Sequence, residues 1–313
     1  MASIDFDKIL EKVKATQWAL SDIDWDAPGA DLVTGNPELF AKLKPFMADL
    51  MWIEHVGARA FSAMSKKAPN DTLKEMYATF HAEEQRHANA EMALMKRWGM
   101  LPEDGSIPEP NKNLRLTIGW LDTYADQMPF YVLGAVIPML EIALDGALCT
   151  FLLETVDDPI CHRAFDLING DEARHLGVGF SVMEMQGYNK TVIELGKMAA
   201  RVLDPRLMLG ILAYLPLLNK MRDNVVGMGL PESKLYAAMN KFSRIGGRTA
   251  DGRRNPWFQI IRWQASMVVN RKNKLYHAPV DAMVRATDNL PQSRMPDMPS
   301  WVHELTYQPT AIQ

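Results

Sequence analysis

Apolar residues recur at helical spacing along almost the whole chain, and nowhere do apolar and polar residues alternate as a half-buried strand requires. The pattern predicts a first helix near residues 5–20, then a Pro/Gly/Asp-rich link through Asn36. A long helix runs from about Pro37 to Ser65, where KKAPND breaks it. The next opens at Asp71, read as its N-cap, and runs to Gly99. MLPEDGSIPEPNK, Met100–Lys112, reads as a loop followed by a short helix. Two more long helices span about Pro129–Val156 and Pro159–Gly187, parted by DDP. Residues 189–243 read as further helices, Gly246–Pro256 as a Gly/Arg-rich loop before another helix, and the Pro-rich stretch from Leu290 as extended. The expectation is an all-α chain: residues 1–36 an N-terminal helix and linker, 37–188 a four-helix bundle of two helical pairs joined by a longer crossover, and 189–313 additional C-terminal helices.

Charges interrupt the apolar stripes at matched places. Met47, Leu50, Met51, Glu54, Ala58 and Phe61 share one face of the first long helix, and Glu54 is the only charge on it. Leu133, Ile137, Glu141, Leu144 and Leu148 share a face of the third. The second continues inward as Met76, Phe80, Glu84, His87 and Leu94, and the fourth as Phe165, Ile168, Glu172, His175 and Val182. Only two of the seven histidines follow a glutamate by three residues, His87 after Glu84 and His175 after Glu172. Residues i and i+3 lie on one helix face, so each pair can close on one ion. Glu54 precedes Glu84 by 30 residues and Glu141 precedes Glu172 by 31, so the order E…ExxH…E…ExxH comes with near-equal spacing.

A single ExxH is usually a surface couple, and a single acid on an apolar stripe is often satisfied by neighbouring donors. Two of each in this order are hard to obtain by chance. Four carboxylates facing a bundle interior cannot stay ionised without compensation, because burying an unpaired carboxylate costs several kcal/mol or more. Two divalent cations would balance the charge and take up both imidazoles. Mixed oxygen and nitrogen donors without thiolate suit iron or manganese better than structural zinc.

Through its AEEQRH and GDEARH motifs the chain resembles the ferritin-like di-iron carboxylate superfamily over about residues 38–188, and most of all its desaturase and monooxygenase members. The resemblance implies Glu54, Glu84, His87, Glu141, Glu172 and His175 as ligands of two Fe ions, with Mn/Fe as a variant. It implies that Asp171 orients His87 and Glu83 orients His175, with Arg86 and Arg174 neutralising those acids. It implies an O2-activating oxidoreductase that hydroxylates, desaturates or otherwise oxidises an apolar small-molecule or carrier- or CoA-linked substrate, with electrons from a ferredoxin or reductase.

Departures from the superfamily matter. Glu91 stands where radical-forming subunits carry tyrosine, which argues against a stable tyrosyl radical there and makes Glu91 a candidate extra ligand. His81, one turn before Glu84, is another. Ile168 replaces the third histidine of arylamine N-oxygenases. Asp145 takes the place of a hydroxylase threonine and is a candidate proton relay. Gly177 and Gly179 leave either room for substrate or close helix packing. Pro138 should kink its helix. Other readings are an arylamine N-oxygenase-like enzyme, a ferroxidase or Mn/Fe oxidase without organic substrate, or a scaffold whose basic stretch is the working surface.

The remaining composition narrows little. The chain has 313 residues, 48% hydrophobic and 23% charged, with net charge −4. Cys149 and Cys161 lack CxxC spacing, which fits a reducing, cytoplasmic setting. MASIDFDKILEK has no apolar run, so no signal peptide is expected. Nine Lys/Arg and one acid, Asp251, fall in 241–274, with Trp257 and Trp263 among them. That stretch suits an anionic carrier, an acidic redox partner, peripheral membrane contact or a plain solvated face. No nucleic-acid motif accompanies it. A homodimer is expected.

Overall fold

The computed structural model describes residues 5–299 apart from Gly105, Leu144 and 201–204. Inside its helices, the side chains of 136, 139–140, 142–147, 194–195, 198–200, 205–207, 211, 238–239, 241–243 and 245–246 also fall outside the description. The chain is all-α, and the described residues contain no strand.

Helix α1 (Phe6–Ala15) starts under Asp5, whose carboxylate accepts from Lys8 N–H. It stops at Ala15 rather than near residue 20. Beyond that point Gln17 and Trp18 leave the helical path and give their side chains to residues far along the chain. Helix α2 (Ala30–Thr34) is a short turn in the expected link, entered at Gly29 with φ 127°.

Helix α3 (Pro37–Lys67) has Asn36 as its cap and Pro at its first turn. Helix α4 (Asp71–Arg97) is capped by Asn70, not by the expected Asp71: the Asn70 side chain accepts from Leu73 N–H, and Asp71 becomes a first-turn acid that favours the helix dipole. Helix α5 (Lys112–Tyr124) follows the 100–111 loop. The expected third long helix is described as α6 (Phe130–Ala143, with Pro138 inside) and α7 (Asp145–Thr155), on either side of Leu144. Helix α8 is Pro159–Gln186, and Gly187 at φ 73° ends it. Next come α9 (Tyr188–Ala200), α10 (Pro205–Gly227), α11 (Glu232–Gly246), α12 (Ala250–Arg254), α13 (Pro256–Val269) and α14 (Lys274–Asp288). Helix α12 lies inside the expected Gly/Arg-rich loop, because Thr249 caps it by accepting from Gly252 N–H. The Pro-rich stretch likewise holds one 3₁₀ turn, Gln292–Arg294.

The chain divides into two compact units. Among its described residues, the first holds 5–111, 151–171 and 298–299. Helices α3 and α4 pack side by side here, and α1 lies on α4. The core is aromatic: Phe61 stacks on Tyr77 and meets Phe80 edge-on, and Phe46 meets Phe151 edge-on. Each such ring contributes roughly 1.5–3 kcal/mol by leaving water. Asp158 anchors the unit: its fully buried carboxylate takes Arg97 Nε at 2.9 Å, Trp98 Nε1 at 2.8 Å and Ile160 N–H at 2.9 Å. Burial pushes this acid's pKa up, but those donors outweigh it and hold the group below the usual carboxylate range.

The second unit holds 112–150 and 172–297. Helices α5, α10 and α14 pack together, and α13 touches α6, α9, α10, α11 and α12. Its buried polar knot is Arg222, which reaches Val268 O at 2.9 Å, His277 Nδ1 at 3.0 Å and Asp223 at 2.7 Å. His277 turns its other nitrogen to Asn270 O at 3.0 Å. No helix among the described residues is long and apolar enough to cross a membrane.

Candidate metal centre

The α3–α4 pair brings Glu54 towards Glu84 and His87, and all three are buried. His87 Nδ1 lies 3.4 Å from Glu54 Oε2, while Nε2 lies 2.9 Å from Asp171 Oδ2. An ionised carboxylate only accepts, so the shared proton sits on Nε2, and Nδ1 is left with the lone pair a metal uses. Asp171 Oδ2 also accepts from Arg86 at 2.9 Å and from the Trp18 indole at 2.8 Å. The indole stacks on His87 with ring centroids 6.3 Å apart, and the Arg86 guanidinium lies 4.7 Å over the indole. Gln17 bridges the same group, donating to Glu83 at 2.5 Å and accepting from Arg86 at 2.8 Å. Arg86 thus brings a positive charge to both buried acids, Asp171 and Glu83, the latter 3.7 Å away.

Gly57 gives Glu84 its room. A Cβ at Gly57 would fall 2.2 Å from Glu84 Oε2 and 2.8 Å from Cδ, so any side chain there collides with the carboxylate.

On α6, Glu141 is buried next in line after the buried Leu133 and Ile137. On α8, Glu172 and His175 are buried, with His175 Nδ1 3.6 Å from Glu172 Oε1. Two groups of donors result. One atom from each of Glu54, Glu84, His87 and Glu172 lies within 4.8 Å of the others. The same holds for Glu84, Glu141, Glu172 and His175, so Glu84 and Glu172 belong to both. Donors bound to one ion at about 2.0–2.2 Å stand about 3–4 Å apart, so each group can hold a metal ion after small side-chain adjustments.

The donor chemistry agrees with that geometry. All six residues are buried and none is a thiolate; the two cysteines are free, buried and in neither donor group. Glu91, one turn beyond His87, is fully buried and lies against the Glu54 carboxylate. Burial first and the neighbouring Glu54 carboxylate second push its pKa well up. No family model matches the chain, and no curated protein matches it.

The other candidates fall as follows. His81 sets Nδ1 2.7 Å from the Ala58 carbonyl, to which it must donate, and it belongs to neither donor group. Glu91 is in neither group, although it lies against Glu54. Arg174 is half-buried on α8. The side chain of Asp145 lies outside the described residues. A Cβ at Gly177 would meet no atom within 4 Å, whereas one at Gly179 would fall 2.6 Å from the Pro138 ring. Among the described residues Gly177 therefore has no neighbour on its Cβ side, and Gly179 is a packing residue. Three contributors escaped the sequence reading: Gln17, Trp18 and Gly57. Trp18 sits in a stretch without periodicity, and no spacing rule links it to Asp171, 153 residues away. Gly57 offered a signal, a glycine one turn past Glu54 in an otherwise well-filled helix.

Proposed function

We propose that this protein is a di-iron carboxylate oxidoreductase of the ferritin-like kind, acting with O2 on an apolar organic substrate and taking electrons from a separate reductase. One observation carries the reading: two overlapping groups of buried Glu and His donors that share Glu84 and Glu172. When bound, a pair of iron ions would supply reversible redox change and a place for O2 to be reduced.

The chain's own residues have definite tasks in this reading. Glu54, Glu84 and His87 hold one ion, and Glu141, Glu172 and His175 the other. Asp171 keeps the proton on His87 Nε2, so Nδ1 stays free to bind. Trp18 and the aromatic core around Phe61 and Phe80 shut water away from the acids, which strengthens every charge interaction there. Glu91 is a carboxyl that can hold a proton beside Glu54.

The test is anaerobic Fe(II) loading followed by oxygen-electrode measurement. Wild type should take up two Fe(II) per chain and then consume O2, and Glu172→Ala should lose both. If uptake proceeds but O2 consumption leads only to stored ferric iron with no organic product, the protein is a ferroxidase. If no divalent ion binds at all, the donor groups are structural and the reading fails.

A further inference from the structure

Helices α11 and α13 of the second unit enclose a surface pocket that has no part in the metal chemistry. Its volume is about 900 Å³, and it is lined by Tyr236, Asn240 and Arg244 from α11 and by Gln259, Arg262 and Trp263 from α13, among others. That is within the size range of small-molecule sites. Tyr236, Asn240 and Arg244 repeat every four residues and so stand on one face of α11. Gln259, Arg262 and Trp263 do the same on α13 at i, i+3 and i+4.

Two features of this lining call for a ligand. The side chains of Arg244 and Arg262 make no hydrogen bond or ion pair with any described residue, although nearby acids are spoken for or scarce: Glu232 pairs with Arg271 at 3.1 Å, and Asp251 is the only acid between 241 and 274. Two guanidinium groups facing one pocket repel each other and favour an anion, to which each can offer two parallel N–H donors. Beside them, Trp263 is 61% exposed and Tyr236 is 52% exposed. Large aromatic faces left in water next to paired cations gain by stacking on a flat ring. Asn240, Gln259 and Ser266 add neutral hydrogen-bonding groups.

We propose that this pocket binds a small anion in which a phosphate or similar group is joined to a planar aromatic ring. Arg244 and Arg262 take the anion, and Trp263 and Tyr236 take the ring.

The test is isothermal titration of the full-length protein with 1-naphthyl phosphate, inorganic phosphate and 1-naphthol. The first should bind at least tenfold tighter than either part alone. Arg262→Glu and Arg244→Glu should each weaken it at least tenfold at unchanged melting temperature. Trp263→Ala should bring the affinity down to that of inorganic phosphate. Should one charge-reversal variant fail to fold, the other and Arg262→Gln carry the same comparison. Equal binding of naphthyl phosphate and inorganic phosphate would overturn the proposal. So would affinity untouched by both charge reversals, or binding confined to phosphatidylglycerol vesicles, which would make the face a membrane contact.

Discussion

Gly57→Ala is the sharpest probe of the candidate metal centre, because it adds one methyl group and removes no donor. The new Cβ would lie 2.2 Å from Glu84 Oε2, where ordinary contact begins at 3.4 Å. The carboxylate must retreat by about 1 Å, roughly half the length of a metal–oxygen bond. Because Glu84 belongs to both donor groups, both should suffer. Losing the orientation of a ligand typically costs 10–100-fold in metal affinity, or about 1.4–2.8 kcal/mol. Fold stability should change less. Alanine gains about 0.5–1 kcal/mol over glycine inside a helix, and that offsets part of the roughly 1–3 kcal/mol cost of crowding. Equilibrium dialysis of anaerobic Fe(II) or Mn(II) should therefore show weakened binding, while urea melts of the metal-free protein stay within about 2 kcal/mol of wild type. Gly196→Ala, where a Cβ would meet nothing within 4 Å, is the control. Unchanged affinity and stoichiometry in Gly57→Ala would refute the claim that Glu84 needs its present position to bind metal.

Three further outcomes follow from the same geometry. Asp171→Asn takes the charge from the group that His87, Arg86 and Trp18 share, so metal affinity should fall about 10–100-fold, as dialysis would show. Asp158→Ala strands the buried Arg97 and Trp98 donors and should cost about 3–5 kcal/mol in urea unfolding. The acid's pKa is lowered in the fold, so its stabilisation is complete above the unfolded value near 4 and fades as pH falls through the folded value. Stability measured from about pH 4 downward should thus decline less steeply in the variant than in wild type. Gly179→Ala should destabilise by about 1–3 kcal/mol through its clash with Pro138, while Gly177→Ala should be nearly silent in thermal melts.

The helices and their chemistry were legible to different degrees. The long helices show in the sequence because each buries a stripe at the 3.6-residue period, and a charge on such a stripe stands out; this is how Glu54 and Glu141 are found. Caps are less distinct. Asn70 and Asp71 are both good N-cap residues, and the choice between them depends on one backbone angle. Helix α12 hides in a Gly/Arg-rich run because its five residues have no period to show, only the Thr249 side chain that starts it. The environment of His87 was half legible. Asp171 came from the resemblance to the di-iron carboxylate superfamily, but the Gln17–Trp18 contribution depends on where the chain turns after Ala15, which no local pattern encodes. Gly57 matters only because of the register between α3 and α4, a property of the packed pair rather than of either helix.

The indole that lies on His87 is also a fluorophore placed by the fold beside the candidate metal ligands. Iron and cobalt ions quench nearby excited indoles efficiently, so occupancy of the His87 position should dim Trp18 emission selectively. The difference spectrum between wild type and Trp18→Phe would then serve as a built-in gauge of loading, readable in dilute solution without a substrate in hand.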